Sequence, residues 1–412
     1  MMLFAFLACF SPSPPDDASA VPSPAPPLEP TARHAVVIVI DTLRADAIDK
    51  SQTPNLDAIA ARGDAVARAW ASGTWTVPSV TALMTGMPVR QHGWDLPTGR
   101  IGRYPQLPQA PMLQSVLQDA GFGTFGIYTN PYLAEGLGFD RGFDVWKRTM
   151  DPALPRLFKE HVDRTWGDGR RHYAYVHLLG PHSPLKPSED AQKRWSVTAD
   201  WFEGRLGLSI GAAKRGQREG VSAAYRAGYY AVVEDTDALV GEVIAALGEH
   251  REETLIVVTS DHGEMLGEHG KFGHGRMVHE PLTHVPLMID RGALPETLNI
   301  TSVPAIVTGA LGIQHTWPTA ADASLPLVSQ REGQIAFSPD GITKGIWQTD
   351  TPTVYDLVAD PGEQTPLSDR ASDIQAAKEA WEAAVPAGIT GEDAVQLSPE
   401  TLEALKTLGY IE

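Results

Sequence analysis

Four segments restrict what this chain can fold into. AVVIVI at 35–40, GTFGIYT at 123–129, HYAYVHLL at 172–179 and TLIVVT at 254–259 are rich in β-branched and aromatic residues and show no apolar/polar alternation. A strand with one wet face alternates, so a run without alternation predicts a strand buried on both faces. Helical patterns lie between these runs. Thr53-Pro54 opens one, with Leu56 and Ile59 on a single face and Gly63 closing it. Met112–Ala120 carries a second through Leu113, Val116 and Leu117. From about Val221 to Leu247 a third aligns Tyr225, Tyr229, Val232, Val240, Val243 and Leu247. Strands alternating with helices predict an α/β fold, with a mostly parallel sheet flanked by helices. In such sheets ligands collect beyond the carboxyl ends of the strands.

Composition narrows the function. With 42% hydrophobic and 20% charged residues, the chain has the makeup of a folded domain rather than a disordered one. Lys and Arg number 33 against 51 Asp and Glu, a net charge of −18 that repels nucleic acid phosphates, so no nucleic acid partner is expected. One cysteine excludes a disulfide framework and a thiolate zinc cluster.

The ends differ from the middle. Met1–Ala8 is apolar, Cys9 follows, and residues 11–33 are a Pro/Ser/Ala stretch that reads as an extended linker. The pattern resembles a lipoprotein signal, with Cys9 as the lipidated residue tethering the domain to a membrane. The match is imperfect, since no Lys or Arg precedes the short apolar run and Phe6 and Leu7 are bulky for a cleavage site; the alternatives are an ordinary secretory leader and a wrongly assigned start with an incidental cysteine. The expectation is an exported protein of the periplasm or cell envelope. The expected organisation is a leader at 1–9, a linker at 10–33, a catalytic domain at 34–299 and a C-terminal α+β subdomain at 300–412. In that subdomain Ile335–Phe337 and Val354–Leu357 read as antiparallel strands. Ser398 reads as the cap of a last short helix. The insert at Pro184–Val221, with Trp195 and Trp201, reads either as a cover over the site or as a plain surface excursion.

The predicted carboxyl ends carry Asp41, Asn130, His182 and the pair Asp261-His262. An aspartate after a strand is ordinarily a turn former. Two adjacent metal-ligand types straight after a buried strand are less ordinary, and His269, His274, His279 and His284 follow, with Lys271 among them. Metal or anion chemistry is therefore expected here. In SGTWTVPSVTALMTG at 72–86, Pro78 suits the first helical position, placing Thr76 just before a helix, where free N–H groups favour an anion. A threonine hydroxyl is a poor nucleophile until a divalent cation lowers its pKa, and Asp41, Asp261 and His262 could hold one.

Together these motifs resemble the sulfatase family of the alkaline phosphatase superfamily. They include VIDTLRAD at Val39–Asp46, TPNLDAIAARG at Thr53–Gly63 and TWTVPSVTALMTG at Thr74–Gly86. Further ones are NPYLAEGLGFDRGFD at Asn130–Asp144, SDHGEMLGEHGKFGHG at Ser260–Gly275, VYDLVADPGE at Val354–Glu363 and LKTLGY at Leu405–Tyr410. The resemblance implies an alkaline-phosphatase-like fold, with Asp41, Asp261 and His262 as metal ligands beside Thr76. It implies His182 on the substrate's anionic group, together with Asn130, and His274 or Lys271 at the leaving-group side. Thr76 stands where the family places the Cys or Ser that becomes formylglycine, and Val80 replaces the arginine of that motif. An unmodified threonine resembles the phosphate-handling branch instead. Thr42 replaces a second carboxylate, and three oxygen donors with one imidazole suit Mn²⁺ or Zn²⁺ better than Ca²⁺. The expected protein is a metal-dependent hydrolase or transferase of phosphate or sulfate esters, acting on an anionic ester with Thr76 as nucleophile. The alternatives are a sulfuric ester hydrolase in the strict sense and a catalytically silent, envelope-tethered binding protein of the same fold.

Overall fold

The computed structural model describes residues 30–407 except 96–102, 106, 108, 198–218, 316, 318–325 and 389–393. Cys9, the leader, most of the linker and Trp201 therefore lie outside the described residues. The strands of the main sheet are β1 (His34–Ile40), β2 (Asp64–Ala65), β3 (Gly123–Tyr128), β4 (Val145–Arg148), β5 (His172–Leu178), β6 (Thr254–Thr259) and β7 (Leu287–Ile289). Across the sheet their order is β2-β7-β6-β1-β5-β3-β4. The links among β6, β1, β5, β3 and β4 are parallel, and β7 runs antiparallel to β6 and β2. Every residue of β1, β3, β5 and β6 is buried, as the absence of alternation requires.

Successive side chains of β1 serve two cores, because a strand points alternate residues to opposite faces. Val37 and Val39 face a layer that includes α2 (Thr76–Thr85) and α3 (Leu113–Asp119), named after α1 (Pro54–Arg62) in chain order. Val36, Ile38 and Ile40 face the other layer, built from α1, α4 (Leu154–Thr165) and the long α5 (Glu219–Ala245), where Tyr225, Tyr229, Val240 and Val243 form the expected stripe. Burying each such aliphatic side chain is worth roughly 1.5–3 kcal/mol, which is what fixes the register of the central strands. Among the described residues no helix is long and apolar enough to cross a membrane.

α2 is buried along its whole length, although four of its residues are hydroxylic. The hydroxyls are satisfied locally: Thr81 donates to the Val77 carbonyl and Thr85 to the Thr81 carbonyl, both at 2.7 Å, and Ser79 to the Gly73 carbonyl at 2.9 Å. Thr76 is the first residue of this helix and Trp75 its cap, one step from the expectation that Thr76 precedes it. Pro78 is the third helical residue rather than the first and still does no harm, since first-turn N–H groups have no partner inside a helix. Gly86 ends the helix at φ 69°, where a Cβ would stand 2.7 Å from the Trp317 ring.

Beyond the main sheet, β8 (Leu327–Arg331), β9 (Gln334–Ser338), β10 (Thr343–Trp347) and β11 (Thr353–Asp356) form an antiparallel meander. The helix α6 (Ala371–Ala384) packs on it through Ile374 and Trp381. Val303, Ile306, Val307, Leu397 and Leu405 instead join the larger core, so the C-terminal stretch is sewn into the main body. Ser398 caps the last helix as expected, accepting from the Thr401 N–H at 3.1 Å. The Trp195 ring lies tilted against Tyr230 at 5.3 Å and donates to Glu234 at 2.9 Å, which ties the described part of the insert to α5.

One buried histidine outside the cluster of strand-end residues makes a pH test. His92 is 2% exposed, accepts from the Trp94 N–H at 3.0 Å, and burial pushes its pKa down to about 3. Below its unfolded value near 6.5 the unfolded chain takes up a proton that the folded chain refuses. The stability His92 contributes is therefore complete above that value and drains away as pH falls toward 3. Urea titrations should show the wild type losing ground to His92→Leu by up to about 1.4 kcal/mol per pH unit across this window. A difference that stays flat from neutral pH to pH about 4 would contradict the assignment.

Candidate active site

Five chain segments converge at the carboxyl edge of the sheet. Asp41 follows β1, and its N–H still pairs with the Leu178 carbonyl at 2.9 Å. Thr42 then turns at φ 60°, held by its carbonyl, which accepts from the Tyr229 hydroxyl at 2.7 Å. The turn brings the Thr42 N–H to Asp261 Oδ1 at 3.3 Å, and the His262 N–H reaches the same oxygen at 2.9 Å. Asp41, Asp261 and His262 are completely buried. The His262 Nε2 stands 3.7 Å from Asp41 Oδ1 and 3.5 Å from Asp261 Oδ2. Thr76 Oγ1 lies 3.5 Å from Asp41 Oδ2. Asn130, after β3, donates Nδ2 to Asp41 Oδ2 at 2.6 Å and to Thr76 Oγ1 at 3.1 Å, while its Oδ1 accepts from the Tyr132 N–H. Expected on the substrate, Asn130 is placed by the structure on the aspartate and the threonine.

The electrostatics of this cluster are unbalanced. Burial first, then the neighbouring Asp261 charge, hold the Asp41 carboxyl well above the ordinary range, and burial raises Asp261 as well. Among the described residues no lysine or arginine pairs with either carboxylate. Burial pushes both His262 and His177 down to about 3, so each imidazole is neutral. His262 Nδ1 faces the Gly263 carbonyl at 2.9 Å, which puts the proton there and leaves the Nε2 lone pair turned to the carboxylates. Asp41 Oδ1, Asp261 Oδ2 and His262 Nε2 have no hydrogen-bond partner, nor has either nitrogen of His177. Leaving such groups dry and unpaired is costly. The donor set fits a divalent cation: one donor atom each from Asp41, His177 and Asp261 lies within 4.8 Å of the other two. Ligands about 2.0–2.3 Å from one ion stand about that far apart at most.

A second group lies beside the first. The ring of His182 is 5.0 Å from that of His274, which is 4.5 Å from that of His262. Glu264 is fully buried and its Oε2 holds His274 Nδ1 at 2.7 Å. This contact fixes the orientation of the His274 ring. Burial and the neighbouring His274 push His182 down to about 3. Lys271 lies on the hairpin that leads to His274. Leu266 and Phe272 pair across this narrow hairpin, which leaves Lys271 exposed at a surface cleft that His274 also lines.

His177 and Glu264 were missed from the sequence. His177 lies inside β5, in register with Val39 and Tyr128, where a histidine reads as core. Its signal was a lone imidazole one residue from the end of a buried strand. Glu264 stood in the noted Asp261-His262-Gly263-Glu264 string, but only the hairpin fold brings it to His274.

An α/β sheet with a buried cluster of ligand-type side chains at its carboxyl edge has the layout of an enzyme centre. The family model described as Sulfatase matches residues 33–296, and the chain belongs to the sulfatase family. Arylsulfatase K of Bos taurus is 36% identical over 111 residues, 26% of this chain and 19% of that protein. The chain thus matches about a fifth of the length of that relative. The low-salt glycan biosynthesis sulfotransferase Agl7 of Haloferax volcanii is 24% identical across 92% of this chain and 96% of its own. Among solved structures, a 2-O GAG sulfatase superposes with a TM-score of 0.65 at 17% identity, covering 86% of this chain and 91% of that one. The phosphonate monoester hydrolase of Agrobacterium radiobacter gives 0.64 at 17% identity, covering 89% and 100%. At that identity the superpositions speak for the fold.

Proposed function

We propose that the protein is a metal-dependent hydrolase, or transferase, of phosphate or sulfate esters, with Thr76 as nucleophile. One observation carries this reading. A buried hydroxyl stands 3.5 Å from an aspartate whose partners, a second aspartate and two neutral imidazoles, keep donor atoms unpaired. Asp41, Asp261 and His262, with His177 beside them, would hold the cation. When bound it supplies Lewis acidity that lowers the hydroxyl pKa and cancels the carboxylate repulsion.

The chain's own groups do the rest. Asn130 fixes Thr76 Oγ1 and Asp41 Oδ2 in one orientation through a shared NH₂ group. Thr76 Oγ1 forms a bond to phosphorus or sulfur while its proton leaves toward Asp41 Oδ2. The first N–H groups of α2 and His182 face charge on the non-bridging oxygens. As the bond to the leaving alcohol breaks, His274, oriented by Glu264, gives that oxygen a proton. Water, or an acceptor hydroxyl, then releases the group from Thr76. Lys271, exposed on its hairpin, is the weaker candidate for the acid.

The substrate's alcohol meets a cleft of about 780 Å³ that opens against His182. Arg148 and Lys186 line it together with Met150, Leu179, Val232 and Leu239. Asp151 and Asp235 line the same cleft and offset the two cations, so it is the apolar walls that bear on the alcohol, and they suit one with an apolar body. Threonine cannot become the aldehyde hydrate of converted sulfatases, so we favour phosphoesters over sulfate esters. The likeness to the phosphonate monoester hydrolase fold accords with that, while the arylsulfatase K match keeps a strict sulfatase as the second reading. The test is to assay nitrophenyl phosphate, its diester and its sulfate with Mn²⁺, Zn²⁺ or Ca²⁺ added to chelator-treated protein. Metal-restored turnover, fastest on a phosphate and with Mn²⁺ or Zn²⁺, is expected. A sulfate preference would reverse the substrate ranking, and no turnover with any metal would favour the catalytically silent binding protein. Export and a lipid tether at Cys9 remain part of the same proposal, tested by labelling expressing cells with a tagged fatty acid.

A further inference from the structure

A second set of ligand-type side chains sits apart from Asp41 and shares no residue with its cluster. His269 lies in the turn Glu268–Gly270 of the hairpin, and its ring is 4.4 Å from that of His279. Glu363 reaches the pair from the segment after β11. One donor atom from each of His269, His279 and Glu363 lies within 4.8 Å of the others. His279 is 6% exposed and Glu363 2% exposed. The Nε2 of His269 and the Nδ1 of His279 have no hydrogen-bond partner. Glu363 is held by its other oxygen, which accepts from the Glu280 N–H at 2.8 Å.

We propose that His269, His279 and Glu363 form a second, structural site for a divalent cation of the zinc class. Two imidazoles and a carboxylate are the donor set that suits such an ion, and spacings under 4.8 Å let one ion reach all three. Lys344 is the competitor. Its ammonium stands 2.8 Å from Glu363 Oε1 and 3.0 Å from Glu280 Oε1. A carboxylate oxygen has lone pairs for both an ammonium and a metal, so Lys344 weakens the site without filling it, and neither unpaired imidazole nitrogen has an alternative partner. An ion there would staple the hairpin that leads to His274 onto the C-terminal segment.

The proposal does not rest on the esterase reading. The test is metal analysis of the full-length protein, chelator-treated and dialysed against micromolar Zn²⁺. Wild type should hold two equivalents, Asp261→Asn one, His269→Gln one and the double variant none. His269 is half-buried on a turn, so His269→Gln should keep the native circular dichroism, and Co²⁺ loaded into Asp261→Asn should give a visible absorption band that His269→Gln removes. If Asp261→Asn loses nothing, the other site fails while this one is still read by the His269→Gln arm. A His269→Gln protein with the same metal content as wild type, or no Co²⁺ band in Asp261→Asn, overturns the second site.

Discussion

Thr76→Ala is expected to lower kcat/KM on the best nitrophenyl ester by about 10³-fold or more, with the fold intact. The side chain is 1% exposed, and its hydroxyl lies 3.5 Å from Asp41 Oδ2 and accepts from Asn130 Nδ2 at 3.1 Å. Helix α2 starts equally well from alanine, because Trp75 rather than Thr76 is its cap and no side-chain cap bond is lost. Thr76→Ser should recover much of the rate, since it restores the hydroxyl and removes only a methyl group. If the alanine variant turned over at the wild-type rate, the covalent route would be wrong and direct attack by water would replace it. Trapping is a second readout: rapid acid quench of wild type should show a phosphorylated Thr76 peptide that the variant cannot form.

Asp261→Asn should remove one equivalent of bound metal and, with it, activity by a comparable factor. Asparagine keeps an Oδ1 that can accept from the Thr42 and His262 N–H groups, now 3.3 and 2.9 Å from Asp261 Oδ1, so the turn should survive. The sign of the stability change is informative. In the metal-free wild type both Asp41 and Asp261 are raised, so at pH above the ordinary carboxylate range the folded state carries a penalty that the unfolded state does not. Without metal the variant should therefore be at least as stable as wild type. With metal the order reverses, because an ion at about 100 times its Kd adds about 2.7 kcal/mol to wild type through a site that the variant lacks, while any gain from the second site is common to both. Thermal melts with and without Mn²⁺ check both halves. A variant that is less stable without metal, yet gains as much from metal as wild type, would contradict the ligand assignment.

The sheet was legible because burial on both faces erases alternation, so 35–40, 172–179 and 254–259 could be read as central strands. Topology then did the work for the site, since carboxyl ends of neighbouring parallel strands must meet, and Asp41, Asn130, His182 and Asp261-His262 all lie there. Thr76 was found through helix-start chemistry, one residue from where it sits. What stayed hidden depends on side-chain direction or on distant pairing. His177 is indistinguishable from a core histidine until β5 is placed beside β1. The Glu264–His274 contact needs the hairpin, which also turns Lys271 outward. Glu363 meets His269 and His279 only after the C-terminal sheet has docked, and nothing local to any of the three marks that meeting.

Catalysis by Thr76 requires an ion beside its hydroxyl. The direct measurement is an anomalous difference map from a crystal grown with Mn²⁺, collected at the manganese edge. A peak about 2.0–2.5 Å from oxygens of both Asp41 and Asp261, with an imidazole of His262 or His177 in the same shell and Thr76 Oγ1 facing it, is the predicted result. Density for manganese elsewhere in the molecule, with none between those two aspartates, would contradict it.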